Sequence, residues 1–425
     1  MSASFNCVKD INLSAKWKKG FDPKVILKKL SEIMTINNGE SISFKGFEYH
    51  SYMATLSSMV ELDKKISHEA GQTLITEGFL KAAKNGGLTD STVLFAINKA
   101  IHDHNAKPDQ SYYLLTTLNI NISCTMPNFV INGCHLRFYS NLPRKFRKAR
   151  REAISSVSDW LINADENSSY FLITRSIAKS DAEAGNNMLD AINLLRGIWN
   201  LQLNYSMAFQ IGRNKPINQV TLGALHTLHA NDGALVKNIF WYQPDYYKNH
   251  KKVNFANNSY KTHKDTHHIR SKIKKLNYGK EIESAIIRYT RALDSLDYND
   301  SIIELWSLLE FLTSTQRDNY DRTINRILFL FTDQAYHKQV LEHLRQYRNR
   351  SVHAGIGQSN VHILVYQLKS YVEQLLWFQI FNPFRFNSLS ETADFMDLKP
   401  DIDLLKKKIL LYQAGVKFLA EISNK

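Results

Sequence analysis

Ser301-Ile-Ile-Glu-Leu-Trp-Ser-Leu-Leu-Glu-Phe-Leu-Thr313 and, shortly after it, Gln334-Ala-Tyr-His-Lys-Gln-Val-Leu-Glu-His-Leu-Arg-Gln-Tyr-Arg-Asn-Arg-Ser-Val352 set the character of the C-terminal part of this chain. Both are helical in pattern, with apolar residues recurring three and four positions apart so that they line one face. Glu281 to Asp297, Asp321 to Phe331 and Asn360 to Phe381 repeat the pattern, and Pro383 stops the last of them. An all-α bundle is therefore expected over residues 280–382. Beyond it, Asp401 to Ile422 reads as a tail helix in the segment 383–425, expected to dock back on the bundle.

Upstream the period changes. Ser41 to Tyr49, Ser111 to Ser123, Cys134 to Ser140 and Ser169 to Ile177 read as strands, with Pro127 and Asn132-Gly133 as turn residues. Glu69 to Lys84, Asp90 to His104, Arg144 to Asn163 and a long segment from Asp181 read as helices. In the second of these Val93, Ala96, Ile97 and Ile101 share a face, with Ser91 or Asp90 as the N-cap. Residues 1–245 thus form an α+β region. Between 246 and 279 lysine, histidine, asparagine and tyrosine dominate without apolar periodicity, which predicts a basic linker. The expected fold is an α+β N-terminal region followed by an all-α helical bundle at the C-terminus.

The whole chain has 425 residues, with 54 Lys and Arg against 40 Asp and Glu, a net charge of +14. That excess favours polyanions, because each neutralised phosphate releases a condensed counterion. Cys7, Cys124 and Cys134 are odd in number and widely spaced, which argues against a disulfide framework and against a structural zinc site, and fits a reducing cytoplasm. Met1 to Asp10 carries no secretory pattern, and the longest apolar runs fall well short of the roughly 20 residues a membrane span needs, so a cytoplasmic protein without membrane contact is expected. No glycine-rich phosphate loop, nucleophile elbow or paired-cysteine finger is present, which lowers the ATPase, hydrolase and zinc-finger readings.

One constellation carries chemistry. In Tyr347-Arg-Asn-Arg-Ser-Val-His-Ala-Gly355, Asn349 and His353 are four residues apart and share a helix face, while Arg348 lies about 100° round the same helix. These residue types suit phosphoryl transfer on RNA. A histidine exchanges protons near neutral pH, an arginine clamps phosphate through its fork of donors, and an asparagine holds reacting groups by hydrogen bonds. The ribose 2′-hydroxyl supplies the nucleophile, so neither metal nor cofactor is required. The plain alternative is a surface arginine and a helix-end histidine, and Arg followed by His five positions later is by itself a weak signal.

Arg348-Asn-Arg-Ser-Val-His353 resembles the R-x4-6-H motif of HEPN domains, in the form where asparagine follows the arginine. Ile302 to Leu312 resembles the second helix of that family, which carries an acidic residue in an apolar setting, here Glu310. The resemblance covers about residues 280–382. It implies a helical bundle that forms a homodimer with two such motifs facing one cleft, and a metal-independent endoribonuclease leaving a 2′,3′-cyclic phosphate. It also implies a role as a toxin or in anti-phage abortive infection. The layout, an α+β region before a C-terminal HEPN domain, is similar to the ApeA-like abortive-infection group. Family toxins neutralised by adenylylation carry a tyrosine two residues after the histidine. Gly355 stands there, so that control is not expected.

Under this reading Arg348, Asn349 and His353 are the catalytic residues, and Glu310 orients Arg348 or helps to position the substrate. Arg350 is solvent-facing or contacts phosphate, and Tyr347 stacks on a base or fills the core. Arg144, Arg147, Lys148 and Arg151 fall on one face of their helix, a phosphate-tracking stripe or a solvated face. Lys248 to Lys275 add a looser basic cluster, and His263, His267 and His268 a weak metal-ligand spacing. The expected partners are RNA (tRNA among the candidates), a second copy of the chain, and a phage-derived or cognate regulatory protein. The competing reading is a non-catalytic HEPN module that binds RNA or senses a partner protein. A structural dimerisation protein is a third.

Overall fold

The computed structural model describes residues 14–37, 41–46, 48–63, 66, 68–121, 126–157, 170–204, 215–242, 252–255, 259–315, 320–354 and 361–423. The first hundred residues build a small module with its own core. Strands β1 (Ala15–Trp17) and β4 (Val60–Leu62) pair antiparallel, as do β2 (Met34–Asn37) and β3 (Ser41–Phe44). Helices α1 (Pro23–Ile33), α2 (Glu48–Met59), α3 (His68–Lys84) and α4 (Asp90–Ala106) close over them. Val93, Ala96, Ile97 and Ile101 point into this core, as their spacing predicts. The N-cap of α4 is Thr89 and not the expected Ser91 or Asp90, because its hydroxyl and that of Thr92 satisfy each other's backbone N–H groups as a capping box.

A six-stranded antiparallel sheet follows, in the order β10-β9-β5-β8-β7-β6. Its strands are β5 (Gln110–Leu118), β6 (Phe129–Ile131), β7 (Cys134–Tyr139), β8 (Tyr170–Ala178), β9 (Leu225–His229) and β10 (Leu235–Tyr242). The expected turn at Asn132-Gly133 joins β6 to β7 in a two-residue hairpin, both residues having positive φ. Alternation splits the sheet into two faces. Leu114, Leu136 and Leu172 join the main core, whereas Leu115, Phe171 and Ile173 form a smaller one beneath α5 (Arg144–Val157).

On the main-core side lies α6 (Asp181–Leu203), buried all round from Ala191 to Leu201. It is sandwiched between the sheet and the C-terminal helices α7 (Ser259–Lys275), α8 (Gly279–Asp294), α9 (Tyr298–Leu312), α10 (Tyr320–Leu328), α11 (Gln334–Ala354), α12 (Val361–Phe381) and α13 (Leu389–Met396). At Gly197 a Cβ would sit 2.4 Å from both Ile286 Cγ2 and Thr290 Oγ1, so glycine is what lets α6 and α8 cross this closely.

The structure departs from the expected organisation in two places. One core is continuous from the sheet through α6 into the C-terminal bundle, so no independent core begins at residue 280. Part of the expected linker is α7, which docks through Thr266, Ile269, Arg270 and Ile273. That stripe is a single row in a lysine-rich segment, too narrow to register as apolar periodicity. Arg270, read as part of a basic cluster, is buried and donates to the Val130 carbonyl at 2.7 Å.

The tail helix α14 (Ile402–Ser423) forms as expected but does not dock on the bundle: Leu410, Leu411, Tyr412, Val416 and Phe418 are all exposed. Ile402, Leu405, Ile409, Tyr412, Val416 and Leu419 follow a three-four spacing, the heptad seam of helices that pair with other helices. Among the described residues no helix is long and apolar enough to cross a membrane.

Candidate functional site

Helix α11 positions the motif. Leu341, Leu344 and Tyr347 are buried at three-residue intervals and seat the helix against α9, α10 and α12. Its first turn is anchored by His337 Nδ1, 2.8 Å from the Tyr371 hydroxyl of α12, and the His337 ring packs tilted against Phe331, with ring centres 4.1 Å apart. Toward its end the Tyr347 hydroxyl donates to Asn299 Oδ1 of α9 at 2.9 Å. With the core side committed, the following residues turn outward. Arg348 and Asn349 are half-buried, Arg350 is exposed, and Arg348 Nη1 donates to Asn349 Oδ1 at 3.2 Å. One turn earlier Arg345 pairs with Asp321 and Glu342, both at 2.6 Å.

The helix runs unbroken to Ala354, so positions 349 and 353 lie one turn apart on one face. The His353 side chain and Gly355 lie outside the described residues.

One open alternative is decided here and one expected role is corrected. Tyr347 is 1% exposed and hydrogen-bonded to Asn299, so its ring is core and cannot stack on a base. Glu310 does not meet Arg348. It accepts from Trp306 Nε1 at 2.8 Å near the far end of α9. Tyr347 contacts α9 at Asn299, eleven residues earlier, which at 1.5 Å rise per residue is roughly 16 Å along the axis. The acidic residue in an apolar setting was legible, but which end of α9 faces α11 is a tertiary fact.

On α5, Arg144, Arg147, Lys148 and Arg151 are all exposed and form the basic face expected of them, with Arg147 Nε also donating to the Leu142 carbonyl at 2.7 Å. Arg150, on the opposite side, is fully buried and donates to the Leu115 and Leu225 carbonyls and to Thr227. His263 and His267 contact each other and Phe129 through their rings. Among the described residues no three His, Cys, Asp or Glu side chains converge as metal ligands do.

A buried polar network, which sequence reasoning missed, holds the bundle to the sheet side of the molecule. Arg196 of α6 makes a two-pronged pair with Asp294 of α8, at 2.6 and 3.2 Å, and donates to the Val220 carbonyl. Asn218 donates to the same carboxylate at 2.7 Å. Beside it, Lys369 of α12 binds Glu373 at 2.9 Å and the Asn204 carbonyl at 2.6 Å, while the Tyr289 hydroxyl donates to Glu373. Burial pushes the Glu373 carboxyl up, against the pull of Lys369, and pushes the Tyr289 hydroxyl far up. Apart from Arg196 Nε, which is buried without a partner among the described residues, these groups bond to one another or to backbone carbonyls, which marks a structural clamp. The helical spacing of Asn193, Arg196 and Asn200 on α6 was the one available signal, and it reads as a solvent face until α8 is in place.

No family model, curated protein or solved structure matches this chain.

Proposed function

We propose that the chain is a metal-independent endoribonuclease of the HEPN type, an anti-phage abortive-infection or toxin effector. One observation carries the reading. Helix α11 is unbroken from Gln334 to Ala354, and its outward side bears Arg348 and Asn349 one turn before the position of His353.

In the proposed reaction the ribose 2′-oxygen loses its proton and attacks the adjacent phosphorus. The bond from phosphorus to the 5′-oxygen breaks, and that oxygen takes up a proton, leaving a 2′,3′-cyclic phosphate and a 5′-hydroxyl. His353 exchanges the proton, Arg348 stabilises the charge gathering on the phosphoryl oxygens, and Asn349 orients Arg348 or the phosphate. One copy offers a single histidine for two proton transfers, so the reading includes a homodimer in which two motifs complete each other across one cleft. The net charge of +14 and the exposed basic face of α5 support RNA as the partner.

The test is incubation of the full chain with total RNA and with tRNA in EDTA, beside His353→Ala. Cleavage to cyclic-phosphate ends by the unaltered chain alone is the expected result. Cleavage that survives in the variant would overturn the assignment of His353. RNA bound but uncut by both proteins, with and without phage protein, would favour the non-catalytic RNA-binding module.

A further inference from the structure

The face of the sheet turned away from the helical bundle carries a cavity of about 310 Å³ that plays no part in the proposed ribonuclease chemistry. Pairing register builds it. Tyr113 of β5, Arg175 of β8 and His135 of β7 stand side by side across three strands. One step along, Arg137 lies opposite Ile173, and Tyr139 lies opposite Phe171. Pro143, just before α5, and Lys145 and Phe146 in its first turn close the other wall.

Two features of this cavity point to a ligand. The first is charge. Arg137, Lys145 and Arg175 line it beside His135, and among the described residues no carboxylate does. Arg175 is half-buried on a central strand and donates to the Ser111 hydroxyl at 2.9 Å. Arg175 stands in register between Tyr113 and His135, and Arg137 lies one step along, so two guanidiniums and Lys145 gather positive potential on this face, which favours an anion. The N-terminal turn of α5 adds the positive end of a helix dipole to the same wall.

The second feature is the aromatic lining. Tyr113, Tyr139 and Phe146 surround the cations, and Lys145 Nζ sits 4.2 Å from the centre of the Tyr113 ring. Phe146 belongs to the small core beneath α5, whereas Tyr113 and Tyr139 are only partly buried and leave ring surface for a planar base beside the cations that would take its phosphate. The volume lies at the low end of the roughly 300–1,000 Å³ range of small-ligand pockets, enough for one nucleotide.

We propose that this cavity binds a single nucleoside phosphate, its base against the tyrosines and its phosphate between Arg137, Arg175 and His135. The ligand is either a free mononucleotide or the 5′-terminal nucleotide of an RNA. Lys145 opens helix α5, so an RNA end held here would lead onto the basic face of Arg144, Arg147, Lys148 and Arg151. The inference does not rest on the ribonuclease reading, since the cavity and α11 lie on opposite sides of the sheet.

The test uses the full chain in the His353→Ala form, so that RNA probes stay intact. Calorimetric titration at low ionic strength compares the four nucleoside 5′-monophosphates, adenosine, inorganic phosphate, and a ribonucleotide oligomer with and without a 5′-phosphate. At least one 5′-monophosphate, or the 5′-phosphorylated oligomer, should bind about tenfold or more tightly than adenosine and phosphate, and salt should weaken it. Binding by the free nucleotide assigns a small-molecule site, and binding by the phosphorylated oligomer alone assigns an RNA-end site. Arg137→Ala, an exposed change that keeps the β7 backbone pairing, should cost about tenfold, and Arg175→Gln should cost at least as much. Three results would overturn the inference: no probe binds, inorganic phosphate binds as tightly as any nucleotide, or nucleotide affinity is unchanged in both variants.

Discussion

Two histidines of β9 make stability depend on pH in a way that can be worked through. His226 and His229 are buried at 5% and 0% exposure. His226 Nδ1 lies 2.7 Å from the Thr116 hydroxyl. His229 reaches the Gly233 carbonyl at 2.8 Å and the Thr227 hydroxyl at 2.9 Å. Burial, with the charges of Arg150 and Arg196 beside it, pushes His226 from 6.5 down to about 3. Burial pushes His229 down to about 4, against its bond to Gly233. Both imidazoles are therefore neutral in the folded chain throughout pH 5–7, while in the unfolded chain they take up protons below 6.5. The stabilisation is complete above 6.5 and is lost as pH falls toward the folded values. At about 1.4 kcal/mol per pH unit over roughly one and a half units, each histidine costs about 2 kcal/mol by pH 5, and the pair about 4.

Urea unfolding followed by far-ultraviolet circular dichroism at pH 7, 6 and 5 measures this. His226→Asn keeps a partner for Thr116 and removes one titration, so it should lose about 2 kcal/mol less than the unaltered chain between pH 7 and 5. The comparison with the variant matters because Glu373, raised by burial, titrates with the opposite sign. Asp397, held down to about 2 by Arg326 and Arg322, acts only at lower pH. A pH profile identical in the unaltered chain and in His226→Asn would refute the reasoning.

Other consequences are as direct. Arg348→Ala and His353→Ala should each lower RNA cleavage by about 10² or more while RNA affinity in a gel-shift titration holds, since both are assigned to the transition state. Asp294→Ala leaves Arg196 buried without its carboxylate and should cost about 3–5 kcal/mol in urea unfolding, with loss of under 1 kcal/mol counting against the clamp. Gly197→Val should destabilise by about 1–3 kcal/mol or more, because Ile286 and Thr290 leave no room for a Cβ; an unchanged unfolding midpoint would show that α6 and α8 can part without cost. If the heptad seam of α14 joins two copies, Ile409→Asp with Val416→Asp should lower the sedimenting mass toward one chain, and an unchanged mass would place self-association elsewhere.

Local pattern carried much of the architecture. Helices announced themselves through apolar residues three and four apart, the β6–β7 hairpin through Asn132-Gly133, and the Arg348–His353 motif through spacing on one helix. Each depends on residues within a turn or two of one another, so the geometry follows from the backbone alone. What only packing decided is every property that needs a neighbour distant in sequence. Asn193, Arg196 and Asn200 look like a wet face of α6 and became buried because α8 and the segment around Val220 supply their partners. Tyr347 and Glu310 were read as site residues, and the way α9 packs on α11 sent one into the core and left the other bonded to Trp306, about three turns along α9 from the Tyr347 contact. The cationic cavity joins residues 113, 135, 137 and 175 only through strand register, and α14 leaves most of its apolar seam exposed. Short-range geometry is written in short-range sequence, whereas burial and proximity come from the order in which whole elements stack.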